Sequence, residues 1–351
     1  MDFFAKRLLK WYDFNKRELP WRATSDPYKI WLSEIILQQT QVNQGLSYYV
    51  KFIEAFPSVK DLAKAPEDKV MKLWQGLGYY SRARNLHEAA KSIVKEHNGR
   101  FPNSYEDIRK LKGVGDYTAA AIASIAFDLP HAVVDGNVYR VLSRVFGIET
   151  PIDSTAGKKE FAELANQLLP KKTAAIYNQA VMEFGALYCR PQNPDCTHCI
   201  FNDKCDAYRT KKVNQLPVKA KKNKVSNRYF NYLILLENGF TYINKRQAKD
   251  IWKGLYEFYL IESDKELSEK ELLKHNELEK ILKGKSIGKL KVSAEYKHIL
   301  SHQNLHTRFY QIEMKKSVNT LKLKKVKIEQ LHQFAFPRLI EKYLKDEELI
   351  K

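Results

Sequence analysis

Apolar residues recur every three or four positions through the first two hundred residues of the chain. This spacing places them on one face of a helix and predicts amphipathic helices that bury that face. The segments with this pattern are 1–10, 29–44, 59–75, 85–97, 105–111, 117–127, 137–146, 158–169 and 173–187. Asp26 before Pro27, like Ser104 before an acidic turn, is typical of a helix N-terminus. The pattern therefore predicts a mostly α-helical region.

The pattern changes after the last cysteine. Runs rich in Tyr, Phe, Ile and Val predict strands there. The predicted strands are 229–236, 240–244, 255–261, 291–300 and 307–314, and the predicted helices lie around 264–283 and 327–344. Residues 210–224 hold six lysines and no acidic residue, which favours a solvated linker. We therefore expect a helical region over 1–209, a lysine-rich linker over 210–227 and an α+β domain over 228–351.

The composition narrows the class of protein. With 351 residues, 44% of them hydrophobic, the chain can form about two packed domains and is unlike a disordered chain. No apolar run approaches the ~18 residues that a membrane span needs, so we expect a cytoplasmic protein that does not enter membranes. The 60 lysines and arginines exceed the 41 acidic residues and give a net charge of +19. This excess favours a polyanionic partner such as nucleic acid; a merely basic soluble protein is the alternative.

All four cysteines lie within one short segment. Cys189, Cys196, Cys199 and Cys205 are separated by six, two and five residues. Clustering in a cytoplasmic chain favours metal ligation over disulfides, and four thiolates suit either tetrahedral zinc or an iron–sulfur cluster. Basic residues around the thiols also make contact with phosphate plausible.

A glycine-containing turn, Gly113-Val114-Gly115, joins two predicted helices. The glycines permit a tight turn, and the amides at the start of the next helix can donate to a phosphate oxygen. Such a hairpin can bind a nucleic-acid backbone without reading its sequence. An ordinary helix–helix turn is the alternative.

Two carboxyl groups lie in contrasting predicted environments, which suits a reaction that needs both a proton donor and a negative charge beside a developing cation. Glu34 has Ile30 and Leu37 on its side of a helix, and apolar surroundings favour the protonated acid. Asp135 precedes a helix from about Asn137, and a helix N-terminus stabilises the charged form. The alternatives are an exposed helical glutamate and a plain N-cap.

Several segments resemble one enzyme family. They are 31–40 (WLSEIILQQT), 134–138 (VDGNV), 19–22 (LPWR), 76–82 (GLGYYSR) and 180–186 (AVMEFGA). They look like the adenine DNA glycosylases of the MutY type, which belong to the helix-hairpin-helix, endonuclease III-like superfamily. The resemblance covers 1–210. It implies a six-helix barrel and an iron–sulfur domain, with one 4Fe–4S cluster bound by the four cysteines of a loop at 189–205.

The resemblance also implies roles for individual residues. Glu34 would protonate adenine at N7, and Asp135 would stabilise the cation that forms as the base leaves. Asn137 and Tyr117 would orient these groups. The residues implied for the adenine pocket are Trp21, Arg22 and Glu183, and those implied for DNA contact are Gln39, Tyr79, Arg82, Gly113 and Gly115. Gln39 and Tyr79 would wedge into the duplex beside the lesion.

Tyr117 has a further implication. Lyase-competent members of the superfamily carry a lysine at this position, two residues after the Gly-Val-Gly turn, and that lysine forms a Schiff base. A phenol cannot form this adduct. The resemblance therefore implies a monofunctional glycosylase.

The C-terminal region resembles the Nudix-like domain that ends these enzymes. The match lies at 252–258 (WKGLYEF), and a hydrolytic Nudix box is absent downstream. Leu300-Ser301-His302 is similar to the family's Phe-Ser-His loop, which senses 8-oxoguanine. Ser301 and His302 would then contact the lesion; a turn serine is the alternative.

The function implied by the resemblance is removal of adenine mispaired with 8-oxoguanine or guanine in duplex DNA. The protein would be a monomer in the cytoplasm, associated with the nucleoid if bacterial. Two alternatives stay open at this point. One is another mismatch- or lesion-specific glycosylase of the superfamily, and the other is a non-catalytic iron–sulfur DNA-binding protein.

Overall fold

The computed structural model describes residues 2–220, 225–282, 287–315 and 323–350. These residues form two compact units. The first unit takes in the described residues up to Ala65 and those from Asn85 to 220. The second takes in Pro66–Arg84 and the described residues from 225 onward. The second unit is therefore built from two separate stretches of chain.

The helices of the first 209 residues follow the predicted pattern closely. Their bounds are α1 Asp2–Asn15, α2 Pro27–Leu37, α3 Val42–Ala55, α4 Val59–Lys64, α5 Glu67–Trp74, α6 Ser81–His97, α7 Tyr105–Lys110, α8 Asp116–Phe127, α9 Gly136–Phe146, α10 Thr155–Leu168, α11 Ala174–Leu187 and α12 Asp206–Arg209, with a 3-10 turn at Pro20–Arg22. The predicted caps form: the Asp26 side chain accepts from the Tyr28 amide, and the Ser104 side chain accepts from the Asp107 amide. None of the described helices is long and apolar enough to cross a membrane.

Two of the predicted helices are broken in the structure. The segment 29–44 was expected to be continuous, but Gln38 leaves the helical region with a ψ of 112° and Gln39 has a φ of 56°. Because Gln39 is left-handed, α2 ends before it and α3 starts afresh at Val42. The segment 59–75 is broken at Pro66, whose ring cannot continue a helix interior. Periodicity alone did not detect either break.

The core of the first unit is rich in aromatic side chains and includes the cysteine segment. Phe201, between the third and fourth cysteines, is fully buried and stacks on Phe4 of α1 with ring centroids 4.8 Å apart. Phe184 of α11 meets Phe201 edge to face at 5.4 Å. The cysteine segment is therefore anchored in the same core as α1 and α11.

The second unit contains two sheets, which confirms the α+β prediction. Its strands are β1 Ser226–Leu236, β2 Phe240–Lys245, β3 Tyr256–Glu257, β4 Tyr259–Ser263, β5 Ile287–Val292, β6 Tyr296–Ile299, β7 Gln303–Met314 and β8 Lys324–Lys327. The larger sheet has the order β4-β1-β7-β5, with β6 also paired to β7, and the smaller has the order β3-β2-β8. The parallel β1–β7 pair runs from Ser226 opposite Gln303 to Leu236 opposite Glu313.

Several predicted elements of the second unit are interrupted. The segment 291–300 supplies parts of two strands, β5 and β6, and 255–261 is divided between β3 and β4. The two predicted helices are also divided: their parts are α13 Glu269–Leu273, α14 Asn276–Leu282, a 3-10 turn at Ile328–Gln333 and α15 Arg338–Asp346. The last break falls at Pro337, which directly precedes α15.

The first part of the expected linker contacts the first unit. Leu216 is buried, the Ile152 amide donates to the Val218 carbonyl at 3.0 Å, and the Ala220 amide donates to Asp153 at 3.0 Å. Residues 221–224 lie outside the described residues. The division into 1–209, 210–227 and 228–351 stays a prediction.

Candidate active site

A cavity of about 730 Å³ opens in the first unit. The last turn of α2, the start of α8, the start of α9 and the middle of α11 contribute to its wall. The predicted site residues that line it are Trp21, Arg22, Glu34, Gln39, Gly115, Tyr117, Asp135, Asn137 and Glu183. The structure thus brings together both candidate catalytic carboxyl groups and the candidate base-pocket residues.

Glu34 is a buried acid, with only 9% of its surface exposed. The Tyr117 hydroxyl donates to its Oε2 atom at 2.7 Å. Burial is the main cause that raises the pKa of Glu34 to about 7; the nearby Asp135 adds to the rise, and the Tyr117 hydrogen bond opposes it. The side chain therefore carries a proton over a large part of the neutral pH range, as a general acid must.

Asp135 caps α9 and accepts two hydrogen bonds. The Val138 amide donates to Oδ1 at 2.8 Å, and the Asn137 side-chain amide donates to Oδ2 at 2.8 Å. Burial raises the pKa of Asp135, but these donors favour the charged carboxylate and limit the rise. The start of α9 therefore stabilises the charged form of Asp135, as the sequence predicted. Burial opposes this stabilisation, and the sequence did not predict that burial.

Arg140, which was not predicted from the sequence, contacts both the site and the cysteine segment. Its Nη2 atom donates to the Asn137 side-chain oxygen at 2.8 Å and to the Gly185 carbonyl at 2.7 Å, while Nε donates to the Cys189 carbonyl at 2.8 Å. Because the Asn137 oxygen faces Arg140, its amide nitrogen faces Asp135. Arg140 lies one helical turn after Asn137, so the i, i+3 spacing was the available signal.

Glu183 binds two arginines in the wall of the cavity. It is 1% exposed, and its two oxygens accept from the guanidinium groups of both Arg17 and Arg22 at 2.6–2.8 Å. These hydrogen bonds outweigh burial and hold the pKa of Glu183 at about 2. Arg22 was predicted from the sequence, and Arg17 was not. The arrangement makes Glu183 the anchor of both guanidinium groups.

Two aromatic residues shape the same cavity. Trp21 is buried and meets Tyr49 edge to face, with ring centroids 5.1 Å apart. Burial and the adjacent Glu34 raise the pKa of Tyr117 well above its usual value, so its hydroxyl stays a proton-bearing donor. That hydroxyl also lies 3.4 Å from the Met182 sulfur.

The predicted DNA-contacting residues of the first unit differ in exposure and in the room around their backbones. Gln39 is exposed at the edge of the cavity, in the turn that ends α2. Gly113 has a φ of 79°, and a Cβ atom there would lie 2.7 Å from the Asn85 Cβ, so a glycine is required. A Cβ atom on Gly115, just before α8, would meet no other atom within 4 Å. The backbone of a bound molecule could therefore approach this residue closely.

Tyr79, Arg82, Ser301 and His302 belong to the second unit. Tyr79 is 49% exposed, has a φ of 44°, and its hydroxyl lies 2.8 Å from the Ser301 Oγ atom. His302 is exposed beside Ser301. Arg82 is only 8% exposed, and its Nη2 atom lies 3.3 Å from both the Leu77 and Gly78 carbonyls. The structure therefore places Arg82 beneath the Tyr79 turn, as a support for that turn.

The four cysteines surround one small cavity. Among the described residues, no three His, Cys, Asp or Glu side chains come close enough to hold a single metal ion. The four thiols are the candidate ligands of a metal group, and four thiolates suit either zinc or an iron–sulfur cluster. Burial raises the pKa of Cys199 to about 12, and a metal group supplies the positive charge that buried thiolates need.

Two family models match the chain. The model described as HhH-GPD superfamily base excision DNA repair protein matches residues 32–171, and the NUDIX domain model matches residues 231–346. A solved structure titled as a thermostable thymine-DNA glycosylase is 33% identical, with a TM-score of 0.55, over 59% of this chain and 95% of that one. The fold and the cavity therefore define a helix-hairpin-helix glycosylase region followed by a Nudix-like domain.

Relatives that match most of the chain specify the family. The adenine DNA glycosylase of Buchnera aphidicola subsp. Baizongia pistaciae is 38% identical over 86% of this chain and 84% of its own length. The adenine DNA glycosylase of Buchnera aphidicola subsp. Schizaphis graminum is 33% identical over 97% of both proteins. The chain belongs to the adenine DNA glycosylase family.

Proposed function

We propose that this protein is a base excision repair enzyme that removes adenine mispaired with 8-oxoguanine or guanine in duplex DNA. The observation that carries the proposal is the pairing of Glu34 and Asp135 in one cavity, with contrasting hydrogen-bond partners. The names of the relatives support adenine as the base. The mispaired partner rests on the resemblance of the loop at 300–302.

Glu34 supplies the proton in this proposal. Tyr117 donates to Oε2, so in the protonated acid that oxygen takes the carbonyl role and Oε1 carries the proton. The proton is then delivered to N7 of the extruded adenine, which becomes a neutral leaving group. General acid catalysis of this kind contributes about 10²- to 10⁴-fold to a rate.

Asp135 supplies the counter-charge for the sugar cation. Its two hydrogen bonds fix the carboxylate before the reaction, so little reorganisation is needed as positive charge develops. A water molecule then completes hydrolysis and leaves an abasic site. Tyr117 is held by Glu34 and cannot form a Schiff base, so strand cleavage by a lyase step is not part of the reaction.

The other predicted residues support binding. The guanidinium group of Arg22, held by Glu183, and the Trp21 ring would form the adenine pocket. Ser301 and Tyr79 would contact the lesion, because a hydroxyl can both donate to and accept from an oxidised purine edge. The four cysteines would hold one 4Fe–4S cluster, which would fix the loop at 189–205.

The test is single-turnover base release from four duplexes that carry adenine opposite 8-oxoguanine, guanine, cytosine or thymine. We expect abasic sites, revealed by alkali, with the first two partners and far less with the others. The matched control is Glu34→Gln, which preserves shape but cannot donate the proton. Equal release from all four duplexes would refute the proposed specificity, and no release from any would refute the proposed activity.

A further inference from the structure

Lys158 lines the catalytic cavity and has no role in the proposed chemistry. It lies in the first turns of α10, whose start is fixed locally. The Ser154 hydroxyl accepts from the Gly157 amide at 2.9 Å and donates to the Pro151 carbonyl at 2.7 Å. A Cβ atom on Gly157 would lie 2.2 Å from that carbonyl oxygen, so this glycine allows the close turn that sets the position of Lys158.

Aromatic packing joins α10 to α9, whose first turn Asp135 caps. Tyr139 of α9 meets Phe161 of α10 edge to face, with ring centroids 5.0 Å apart. Tyr139, Lys158 and Asp135 all line the same cavity. Because Lys158 is exposed, its ammonium group stands at the rim rather than in the depth of the cavity.

The charges around the cavity explain why a cation is needed there. Two of the lining cations, Arg17 and Arg22, are bound to Glu183. Of the other lining carboxyl groups, Asp116 is bound to Arg109, Glu34 is the protonated acid, and Asp135 stays as a carboxylate that would repel an incoming phosphate. No ion pair between Lys158 and a carboxylate occurs within the part of the chain that the structure describes. Lys158 is thus the rim cation available to an external anion.

We propose that Lys158 binds a backbone phosphate of the strand that carries the extruded nucleotide. The inference rests on the proposed function, because only an extruded nucleotide brings its flanking phosphates to this rim. Extrusion costs a few kcal/mol, and a phosphate contact made only in the extruded state offsets part of that cost. Lys158 is therefore a binding residue for the flipped strand and not a general DNA-contacting lysine.

Lys159 provides a matched control on the same helix. Its ammonium group lies 3.9 Å from Glu163, one turn further along α10, and it does not line the cavity. Lys158→Gln and Lys159→Gln remove the same charge from neighbouring positions, so they alter the net charge of the protein equally. Lys158→Arg retains the charge.

The experiment measures affinity, at several salt concentrations, for two duplexes of one sequence. One duplex is fully paired, and the other carries a tetrahydrofuran abasic-site analogue opposite 8-oxoguanine. We expect Lys158→Gln to weaken binding to the analogue duplex about three- to tenfold. The slope of log affinity against log salt should fall by about 0.9, as for the loss of one phosphate contact. Lys159→Gln should match the wild type on both duplexes, and Lys158→Arg should restore most of the affinity.

Two outcomes would overturn the inference. Equal losses of affinity in Lys158→Gln and Lys159→Gln would show that the effect comes from the lower net charge of the protein and not from a contact of Lys158. Equal losses on both duplexes would make Lys158 a general contact that does not depend on extrusion. Either result leaves the proposed function intact, since that function is tested separately by adenine release from the wild-type protein.

Discussion

Glu34 and Asp135 show how one cavity gives two carboxyl groups different properties. Glu34 is buried and Asp135 is half-buried. Asp135 accepts two hydrogen bonds, including one from the first turn of a helix, and Glu34 accepts one from a phenol. Hydrogen bonds to the charged form lower a pKa and burial raises it. The balance leaves Glu34 with a pKa of about 7, which suits a proton donor near neutral pH.

The pH dependence of the reaction follows from this value. The acid is active when protonated, so the single-turnover rate should fall as the pH rises through about 7. The rate should be measured from pH 5 to 9 with enzyme in excess, so that binding does not limit it. A rate that stays flat to pH 9 would remove Glu34 from the proton-transfer step.

Stability should depend on pH through the same residue. The pKa of Glu34 is raised in the folded protein, so its contribution to stability is fully present below the ordinary pKa of about 4.5 and is lost as the pH rises from there to about 7. Glu34→Gln has no such loss. The melting temperature of the wild type should therefore fall relative to that of Glu34→Gln as the pH rises from about 4.5 to about 7, and the difference should then level off. A constant difference would contradict the raised pKa.

Asp135→Asn should separate the structural from the chemical role of this residue. Asparagine is as good an N-cap as aspartate, so the fold of α9 should survive. The counter-charge is lost, and we expect the rate of base release to fall about 10²- to 10³-fold. Circular dichroism gives the control for folding. A folded variant with a wild-type rate would make Asp135 a cap only.

Helix α9 connects Asp135 with the cysteine segment, because Asn137, Arg140 and Arg144 follow one another at intervals of about one helical turn. Asn137 faces Asp135, while Arg140 and Arg144 contact the cysteine segment. We expect Arg140→Gln to lower the rate of base release and to speed cluster loss, because Asn137 and the Cys189 carbonyl lose a shared donor. Iron content and the rate should be measured on the same preparation. An unchanged rate at full iron content would show that Asn137 does not need Arg140.

The turn between α5 and α6 sets the geometry of the candidate lesion reader. The Tyr79 and Ser301 hydroxyls bond to each other at 2.8 Å. Ser301→Ala and Tyr79→Phe should each reduce the preference for 8-oxoguanine over guanine by about two- to tenfold. The double variant should lose little more than the larger single effect, because the two changes remove one shared hydrogen bond. Additive losses would mean that the two hydroxyls act independently.

Point variants are better than truncation for this test. Asp68 accepts from Lys245 and from the Tyr256 hydroxyl, and Lys72 donates to the Phe334 carbonyl at 3.0 Å. Removal of the C-terminal residues would strip these partners from α5. A truncated protein would therefore lose the support of Tyr79 together with Ser301.

At the scale of the whole molecule, the sequence predicted the order of helices and strands better than their interruptions. Helical periodicity located α6 to α11 within a few residues, because each buries a regular apolar face. It missed the breaks after α2 and before α5, since a left-handed glutamine and an interrupting proline do not disturb hydrophobic spacing. Arg17 was not predicted as a second partner of Glu183, because the two residues are 166 positions apart and no local pattern joins them. The i, i+3 spacing of Asn137 and Arg140 permits their contact but does not specify it, since the same spacing occurs throughout every helix.

The chemical identity of the cysteine group can be measured directly. The loop at 189–205 surrounds one small cavity, and we expect protein purified without oxygen to contain about four iron atoms and four acid-labile sulfides per chain. Zinc at one atom per chain, with no iron, would contradict this expectation. Because Phe201 shares the core with α1, loss of the group should also lower the melting temperature of the first unit.

The discontinuous second unit has a consequence for the order of events during synthesis. Residues 66–84 leave the ribosome early, but their partners in the β-rich region are made last. The hydrogen bond between Tyr79 and Ser301 joins positions 222 residues apart. A nascent chain can therefore close the cavity around Glu34 while Tyr79 still lacks its partner. The chemical centre is expected to form first during translation, and the residue that would meet the lesion acquires its final position only when the chain is nearly complete.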